Sequence, residues 1–372
     1  MGLKIIHTSD LHIGMKFNGY PDYIRSELIE ARFKTLKNLI ETANEENCNL
    51  FVVAGDLFEK ITIQKKDIER VIKILEDFAG DCVLVLPGNH DYDNGMVELW
   101  QFFRNNLSEK IVLLNENKVY DLRFYDLDVA VYPASCNRKN SNENNLGWMN
   151  KISEQPEVTW HIGVAHGALE GLSPDMHQQY FYMTKKELES IPVDLWLLGH
   201  THIPYPEQAL IRGNKIFNAG TPEPDGMDCS HEGHAWLIEI DKDKKIEAKR
   251  INTGIFKFID TEATIEDMDS FEKLKQLFLK EKGDKTLLRL KLKGRIDQDL
   301  FKRKEVFYKE LTEGLAYFDP EDSQLGIKIT GDVIDKEFTA GSFPHQLLTE
   351  LYKDNDEEAL QIAYEVIQEA KV

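Results

Sequence analysis

Five short segments of this chain each follow an apolar run with side chains able to hold a metal ion. They are Ser9-Asp10-Leu11-His12, Gly55-Asp56, Gly88-Asn89-His90-Asp91, Ala165-His166-Gly167 and Gly199-His200-Thr201-His202. Carboxylate, amide and imidazole ligands together suit borderline divalent ions such as Mn²⁺, Fe²⁺ or Zn²⁺ better than Ca²⁺ or Mg²⁺. Two such ions held close together can activate water against a phosphate ester. Asp56 has two oxygens and can bridge a pair of cations. Asn89 would add an oxygen ligand without adding charge. The histidines would ligate as neutral imidazoles through one nitrogen and leave the other to be oriented by a neighbour. His90 need not ligate. Facing a substrate, it could stabilise or protonate a leaving oxygen, with Asp91 or Asp10 holding its tautomer. Any one of these motifs is weak alone; all five in order, each after a strand-like run, describe one centre. A purely structural site would favour a cysteine-rich tetrahedron. His7, His161, His177, His231, His234 and His345 lie outside the motifs and receive no role.

Ligands so far apart in sequence need a scaffold that gathers them. Residues 3–7, 50–54 and 82–86 read as strands. The helical spacing of Leu28, Phe33, Leu36, Leu39, Ile40 and Ala43 predicts a helix over 23–47, and a second helix is expected over 65–79. This βαβαβ order implies a largely parallel, buried sheet. Further strands are expected at 119–122, 128–132, 161–165, 195–198, 215–218 and 235–240. Most ligands then lie just past the carboxyl ends of strands, where open α/β sheets place their sites. Gly55, Gly88, Gly167 and Gly199 allow tight turns beside them. Residues 137–145 read as an exposed connection and 171–184 as a second, mobile loop near the site. A domain boundary is expected near 252–254. Residues 254–340 would form a small α+β domain with strands at 255–261 and 286–292 and helices at 270–280 and 298–312. A helical tail, 341–372, would follow, with an apolar stripe of Ala359, Ile362, Ala363, Val366 and Ile367 packed on its own domain or on a partner.

The composition sets limits on partners. The chain has 372 residues, 42 % hydrophobic and 30 % charged, ordinary for a folded protein. Its net charge is −20, so nucleic acid would be repelled except at a local basic patch, a metal cluster or a basic partner. Lys16, Lys60, Arg104, Arg138 and Lys139 are available for phosphate contacts. Cys48, Cys82, Cys136 and Cys229 are scattered without a CxxC pair, which fits free thiols in a reducing compartment. No run suggests a signal peptide or a membrane span, and a cytoplasmic location is expected.

The motif series resembles the calcineurin-like metallophosphoesterase superfamily over roughly residues 1–250. His7-Thr8-Ser9-Asp10-Leu11-His12-Ile13-Gly14 and Ala54-Gly55-Asp56-Leu57-Phe58 look most like the SbcD-type DNA repair nuclease subunit. Asn218-Ala219-Gly220-Thr221-Pro222, then Gly233 and a strand to residue 240, is similar to the end of that catalytic domain. The resemblance implies a four-layered α/β/β/α sandwich over 1–253 and a small capping domain after it. It also implies two divalent ions, often manganese. Carried over by motif, Asp10, His12, Asp56 and His202 would hold one ion, and Asp56, Asn89, His166 and His200 the other. His90 would be the catalytic imidazole. DNA as substrate and an SbcC-type coiled-coil ATPase as partner are implied too, while a homodimer is left open. One stretch departs from the pattern. Where many such nucleases carry Asp or His and then a proline-containing loop, this chain has Glu59-Lys60-Ile61-Thr62-Ile63.

Three functions follow. The first is a metal-dependent nuclease subunit. The second keeps the chemistry but takes a small-molecule or protein phosphoester, which the acidity and the altered loop favour. The third is a non-enzymatic scaffold for an ATPase, motivated by the apolar tail stripe; the complete ligand set and His90 argue against it.

Overall fold

The computed structural model describes residues 2–173, 175–280 and 283–370. Contacts divide the chain into two compact units, Met1–Phe258 and Ile259–Val372. In the first unit the elements run β1 (Leu3–Thr8), α1 (Asp22–Glu45), β2 (Leu50–Ala54), α2 (Lys65–Glu76), β3 (Cys82–Leu86), α3 (Glu98–Asn105) and β4 (Ile111–Leu113). They continue with β5 (Tyr120–Asp121), β6 (Val129–Ala134), β7 (Trp160–His166), α4 (Lys185–Ser190), β8 (Leu195–Gly199), β9 (Leu210–Arg212), β10 (Ile216–Asn218), β11 (His234–Ile240) and β12 (Ile246–Asn252).

These strands form two sheets. A seven-stranded sheet has the order β4-β3-β2-β1-β11-β12-β9, and a five-stranded one β10-β8-β7-β6-β5. In the first, β1 to β4 pair in parallel, as the βαβ pattern requires, while β11, β12 and β9 add antiparallel strands. In the second, only β5 is antiparallel. The strands β2, β3 and β8 are buried along their whole length, because both sheet faces are covered. One core, including Leu3, Ile5, Val52, Leu84, Val131, Ile162, Leu197 and Trp236, joins residues of both sheets. A second lies under α1, α2 and α3 with Ile6, Phe51, Val53 and Val85. The third packs Tyr132, Ala165 and Trp196 against Leu188 of α4 and the segment around Leu146 and Met149. Helices thus cover one sheet broadly, whereas a six-residue helix and loops cover the other.

Several boundaries differ from the sequence expectation. The helix over 65–79 stops at Glu76, and Ala79 N instead donates to the Asn44 side chain at 2.7 Å. The strand over 119–122 shrinks to two residues, because the Asp121 carboxylate accepts from Arg123 N at 3.0 Å and turns the chain. α3, β4, α4, β9 and β12 had no counterpart in the sequence reading. The expected loops 137–145 and 171–184 are stitched together: Ser141 N donates to Gln179 O at 2.7 Å and Phe181 N to Ser141 O at 2.9 Å. Pro174 of the second loop lies outside the described residues.

The second unit is built on a three-stranded sheet of β13 (Lys257–Thr264), β14 (Thr286–Ile296) and β15 (Tyr317–Ile327), in the order β13-β14-β15. Helices α5 (Met268–Lys280) and α6 (Gln298–Gly314) share a core with it. The later helices α7 (Gly331–Glu337), α8 (Phe343–Lys353) and α9 (Glu357–Glu369) form a small core of their own with Ile329, Ile334, Phe338, Leu348, Leu360 and Tyr364. The tail stripe splits. Ala363 and Ile367 pack into that core, while Ile362 and Val366 stay exposed. Among the described residues no helix is long and apolar enough to cross a membrane.

Candidate metal centre

The end of β7 and the turns after β1, β2, β3 and β8 bring all the sequence-predicted ligands together. The backbone bends sharply to do so: Asp10, His12, Asp56 and His200 all have positive φ, at 52°, 47°, 51° and 105°. Such conformations cost non-glycine residues about 1–3 kcal/mol each and persist only where surroundings hold them. Here the surroundings are hydrogen bonds between the ligand loops. Asp10 N donates to Gly55 O and His12 N to Asp56 O, both at 3.0 Å. The Thr221 hydroxyl donates to Asp10 O at 2.8 Å. Asn218 Nδ2 donates to Thr201 O and Ile203 O at 2.7 and 2.8 Å, which secures the loop carrying His200 and His202. Gly55, itself at φ 94°, is needed for space, since a Cβ there would lie 2.0 Å from His166 Nδ1.

Asp10 fastens one oxygen and leaves the other open, while Asp56 engages both. Asp10 Oδ2 accepts from Ser9 Oγ at 2.5 Å and from His200 N at 3.0 Å, while Asp10 Oδ1 is buried without a hydrogen-bond partner among the described residues. Asp56 Oδ1 accepts from His90 N at 2.8 Å, and Asp56 Oδ2 lies 3.3 Å from His166 Nε2 and 3.9 Å from His12 Nε2. Asn89 Oδ1 lies 3.0 Å from both His166 Nε2 and His200 Nδ1. Asp10, His12 and His202 form one group whose ligand atoms all lie within 4.8 Å of one another; Asp10, Asp56 and His166 form another.

Two residues to which the sequence assigns no role in the site complete the centre. Glu59 Oε2 sits 3.0 Å from His12 Nδ1, and Asp225 Oδ2 sits 3.0 Å from His202 Nδ1. With Nδ1 of each ring turned to a carboxylate, the two Nε2 atoms face each other at 3.2 Å. Lone pairs so opposed need a cation, or failing that a proton, between them. Burial alone would lower His202, but Asp225, with Asp10 beside it, raises it to about 9. His166 is likewise raised to about 9: burial opposes it, and Asp56 with the Ala54 carbonyl, 2.9 Å from Nδ1, overcomes that. Burial and the neighbouring His166 charge lower His200 to about 4, leaving it a neutral ligand. For Asp56 and Asp225 burial works upward, yet the imidazole beside each holds its carboxyl well below the usual range. The donor set fits divalent cations, and a metal would have to displace the protons that the raised pKa values favour on His166 and His202 at neutral pH.

His90 lies at the edge of the cluster, with 35 % of its side chain exposed, its ring edge-on to His12 at 4.8 Å. The residue expected to hold its tautomer is not Asp91 or Asp10. Its Nδ1 lies 3.1 Å from the Glu59 carbonyl, which fixes Nδ1–H and leaves Nε2 open. Asp91 is buried instead. It accepts from Phe58 N at 3.0 Å and Gly88 N at 2.7 Å, tying two ligand loops together. Burial and the nearby Asp56 push it up to about 8. Of the basic residues considered for phosphate contacts, Lys16, Arg138 and Lys139 are exposed, and Arg104 lies 3.7 Å from Asp93. Tyr180, from the loop after β7, lies over His200 with ring centroids 5.2 Å apart.

Imidazoles, an amide and carboxylates gathered at the strand ends of a two-sheet α/β fold define a metal-dependent phosphoesterase. The chain belongs to the calcineurin-like phosphoesterase family, whose sequence model matches residues 3–204. Divalent ions are the cofactors that this fold uses. The chain is similar to the uncharacterized metallophosphoesterase YhaO of Bacillus subtilis strain 168, at 24 % identity over 87 % of this chain and 79 % of that protein. It is also similar to the DNA double-strand break repair protein Mre11 of Methanopyrus kandleri, at 23 % identity over 66 % of this chain and 56 % of that one. A third relative, a subunit of the SbcCD nuclease of Staphylococcus saprophyticus, is 25 % identical over 55 % of this chain and 57 % of its own length. The match thus spans little more than half the length of the latter two relatives.

Proposed function

We propose that this chain is a two-metal phosphodiesterase that cleaves DNA as the nuclease subunit of a repair or processing complex with an SbcC-type coiled-coil ATPase. The observation that carries the hydrolytic part is the pair of Nε2 atoms of His12 and His202 facing each other beside the unpartnered oxygen of Asp10. Asp10, His12, Asp56 and His202 would hold one ion. Asp56, Asn89, His166 and His200 would hold the other. Manganese suits these donors, as do Fe²⁺ and Zn²⁺. Bound there, the ions would supply Lewis acidity and an activated water. The protein's own groups do the rest. Asp56 would offset cationic charge, and His90, with Nδ1–H donated to the Glu59 carbonyl, presents Nε2 to the leaving oxygen, which it can protonate only as the imidazolium. Residues 254–340 are read as the family's capping domain and 341–372 as its helical tail.

Two of the relatives, a DNA double-strand break repair protein and a nuclease subunit, support DNA as substrate. A second reading, a small-molecule or protein phosphoester, is favoured by the Glu59 carboxylate beside His90 and by the net charge of −20. The test is cleavage of single- and double-stranded DNA and of a small chromogenic phosphodiester by metal-free protein resupplied with Mn²⁺. His90→Ala is expected to lower DNA cleavage by about 10²–10⁴-fold. Hydrolysis of the small ester with no attack on DNA, at low salt and with any ATPase partner added, would transfer the assignment to the second reading.

A further inference from the structure

Helix α1 carries a cation where its apolar stripe predicts a hydrocarbon. Arg32 lies four residues after Leu28 and four before Leu36, both in the core, and is itself only 1 % exposed. A guanidinium stays charged even when buried, so its burial must be answered by specific partners. Two of those partners are backbone carbonyls of loops that serve the metal centre. Nη1 donates to Leu11 O at 3.0 Å, and Nη2 donates to Pro224 O at 3.4 Å. Leu11 stands between Asp10 and His12, while Pro224 immediately precedes Asp225, the carboxylate that faces His202. The carboxylates of Asp225, Glu223 and Glu59 act on the same guanidinium at longer range, each favouring its charged form.

We infer that Arg32 is a positioning residue for one ion position only, clamping the Asp10–His12 loop and the Asp225 loop so that His12 and His202 converge. The inference rests on the metal-centre reading above. The first position needs such a clamp more than the second. Residues at positive φ occur at both positions, Asp56 and His200 included, but at the first the Leu11 carbonyl between Asp10 and His12 is held by a side chain, that of Arg32. Asp225 reaches His202 from a loop with no regular secondary structure. At the second position His166 ends strand β7, and its Nδ1 is held by Ala54 O at the end of β2, so the sheet itself supplies the alignment. Lysine at this place keeps the charge but concentrates its donors on one ammonium, which cannot reproduce the planar fork.

The test is Mn²⁺ binding to the metal-free full chain, by calorimetry and electron paramagnetic resonance, for the wild type, Arg32→Lys and Arg32→Gln. The wild type is expected to take up two ions with the spectrum of an exchange-coupled pair; if it does not, the metal-centre reading fails and the clamp is not at issue. Both variants are expected to bind at the first position about 10–100-fold more weakly. They should keep the second ion and show the hyperfine spectrum of isolated Mn²⁺. Retention of two tight ions by Arg32→Lys would overturn the inference in favour of charge alone. Tighter binding by Arg32→Gln would overturn it in favour of simple repulsion between cations. Loss of both ions together, or failure of both variants to fold, would show that Arg32 sustains the fold rather than one position.

Discussion

The two halves of the metal centre are built on different principles. At the second half, His166, Asn89 and Asp56 are buried, and His166 is aligned by a main-chain carbonyl that the sheet holds in place. At the first half, His12 and His202 are aligned by the side chains of Glu59 and Asp225, and 37 % of the His202 side chain is exposed. A carbonyl belongs to the fold and cannot be removed by substitution. A carboxylate can be removed, and it also brings charge, which strengthens the imidazole as a donor and draws cations toward it. One position is thus anchored through a strand carbonyl at His166, and the other through carboxylates carried on loops. The loop-built position should be the more adjustable of the two, in metal affinity and in evolution.

One substitution removes that distinction, since Asp56 would serve both ions in the proposed arrangement. Asp56→Asn should weaken both ions and lower phosphodiester hydrolysis by at least about 10³-fold, several kcal/mol of transition-state stabilisation. Retained two-ion binding in Asp56→Asn would break the shared-bridge picture. A smaller effect separates the halves. Glu59→Gln and Asp225→Asn are each expected to weaken the first ion by about 10–100-fold and leave the second unchanged. Equal weakening of both ions in calorimetry would show that the two positions are not independently built.

The same contrast explains what could be read from the sequence. The residues that cluster at the strand ends were legible because each sits beside an apolar run with a glycine or another polar residue of the cluster next to it, as at Gly55-Asp56 and Gly88-Asn89-His90. The β1-β2-β3 core was legible for the same reason, since buried parallel strands are continuous hydrophobic runs. Asp225 was not, because its loop lies between β10 and β11 and nothing in Pro222-Glu223-Pro224-Asp225 marks it as a partner of His202. Glu59 was visible only as a departure from the nuclease pattern; that its side chain faces His12 and its carbonyl faces His90 depends on the loop's path. Adjacency in sequence points Asp91 toward His90, but the chain turns its carboxylate inward to two amides. Arg32 did leave a signal, a cation on the buried stripe of α1, whose meaning required knowing which carbonyls lay opposite. Short edge strands such as β4 and β9 are three residues each, too brief to show any period.

Proton release on metal uptake separates the halves more finely. His202 at the first position and His166 at the second are both raised to about 9, so both are charged at pH 7 in the metal-free protein. His200, lowered to about 4, is already neutral there. A metal requires the neutral imidazole, so ion uptake at pH 7 must expel these protons, and apparent affinity must rise with pH until about 9 and then level off. Calorimetry in buffers of different ionisation enthalpy should therefore report close to two protons released at pH 7, falling toward none above about pH 9. Asp225→Asn sharpens the measurement. Without the carboxylate that raises it, His202 loses its proton at lower pH, and the release accompanying the first ion should disappear. The proton from His166 should remain, because Asp56 and the Ala54 carbonyl that hold it are untouched. If instead both protons vanish together, the two positions titrate as one unit, and the separation between a sheet-built half and a loop-built half is lost.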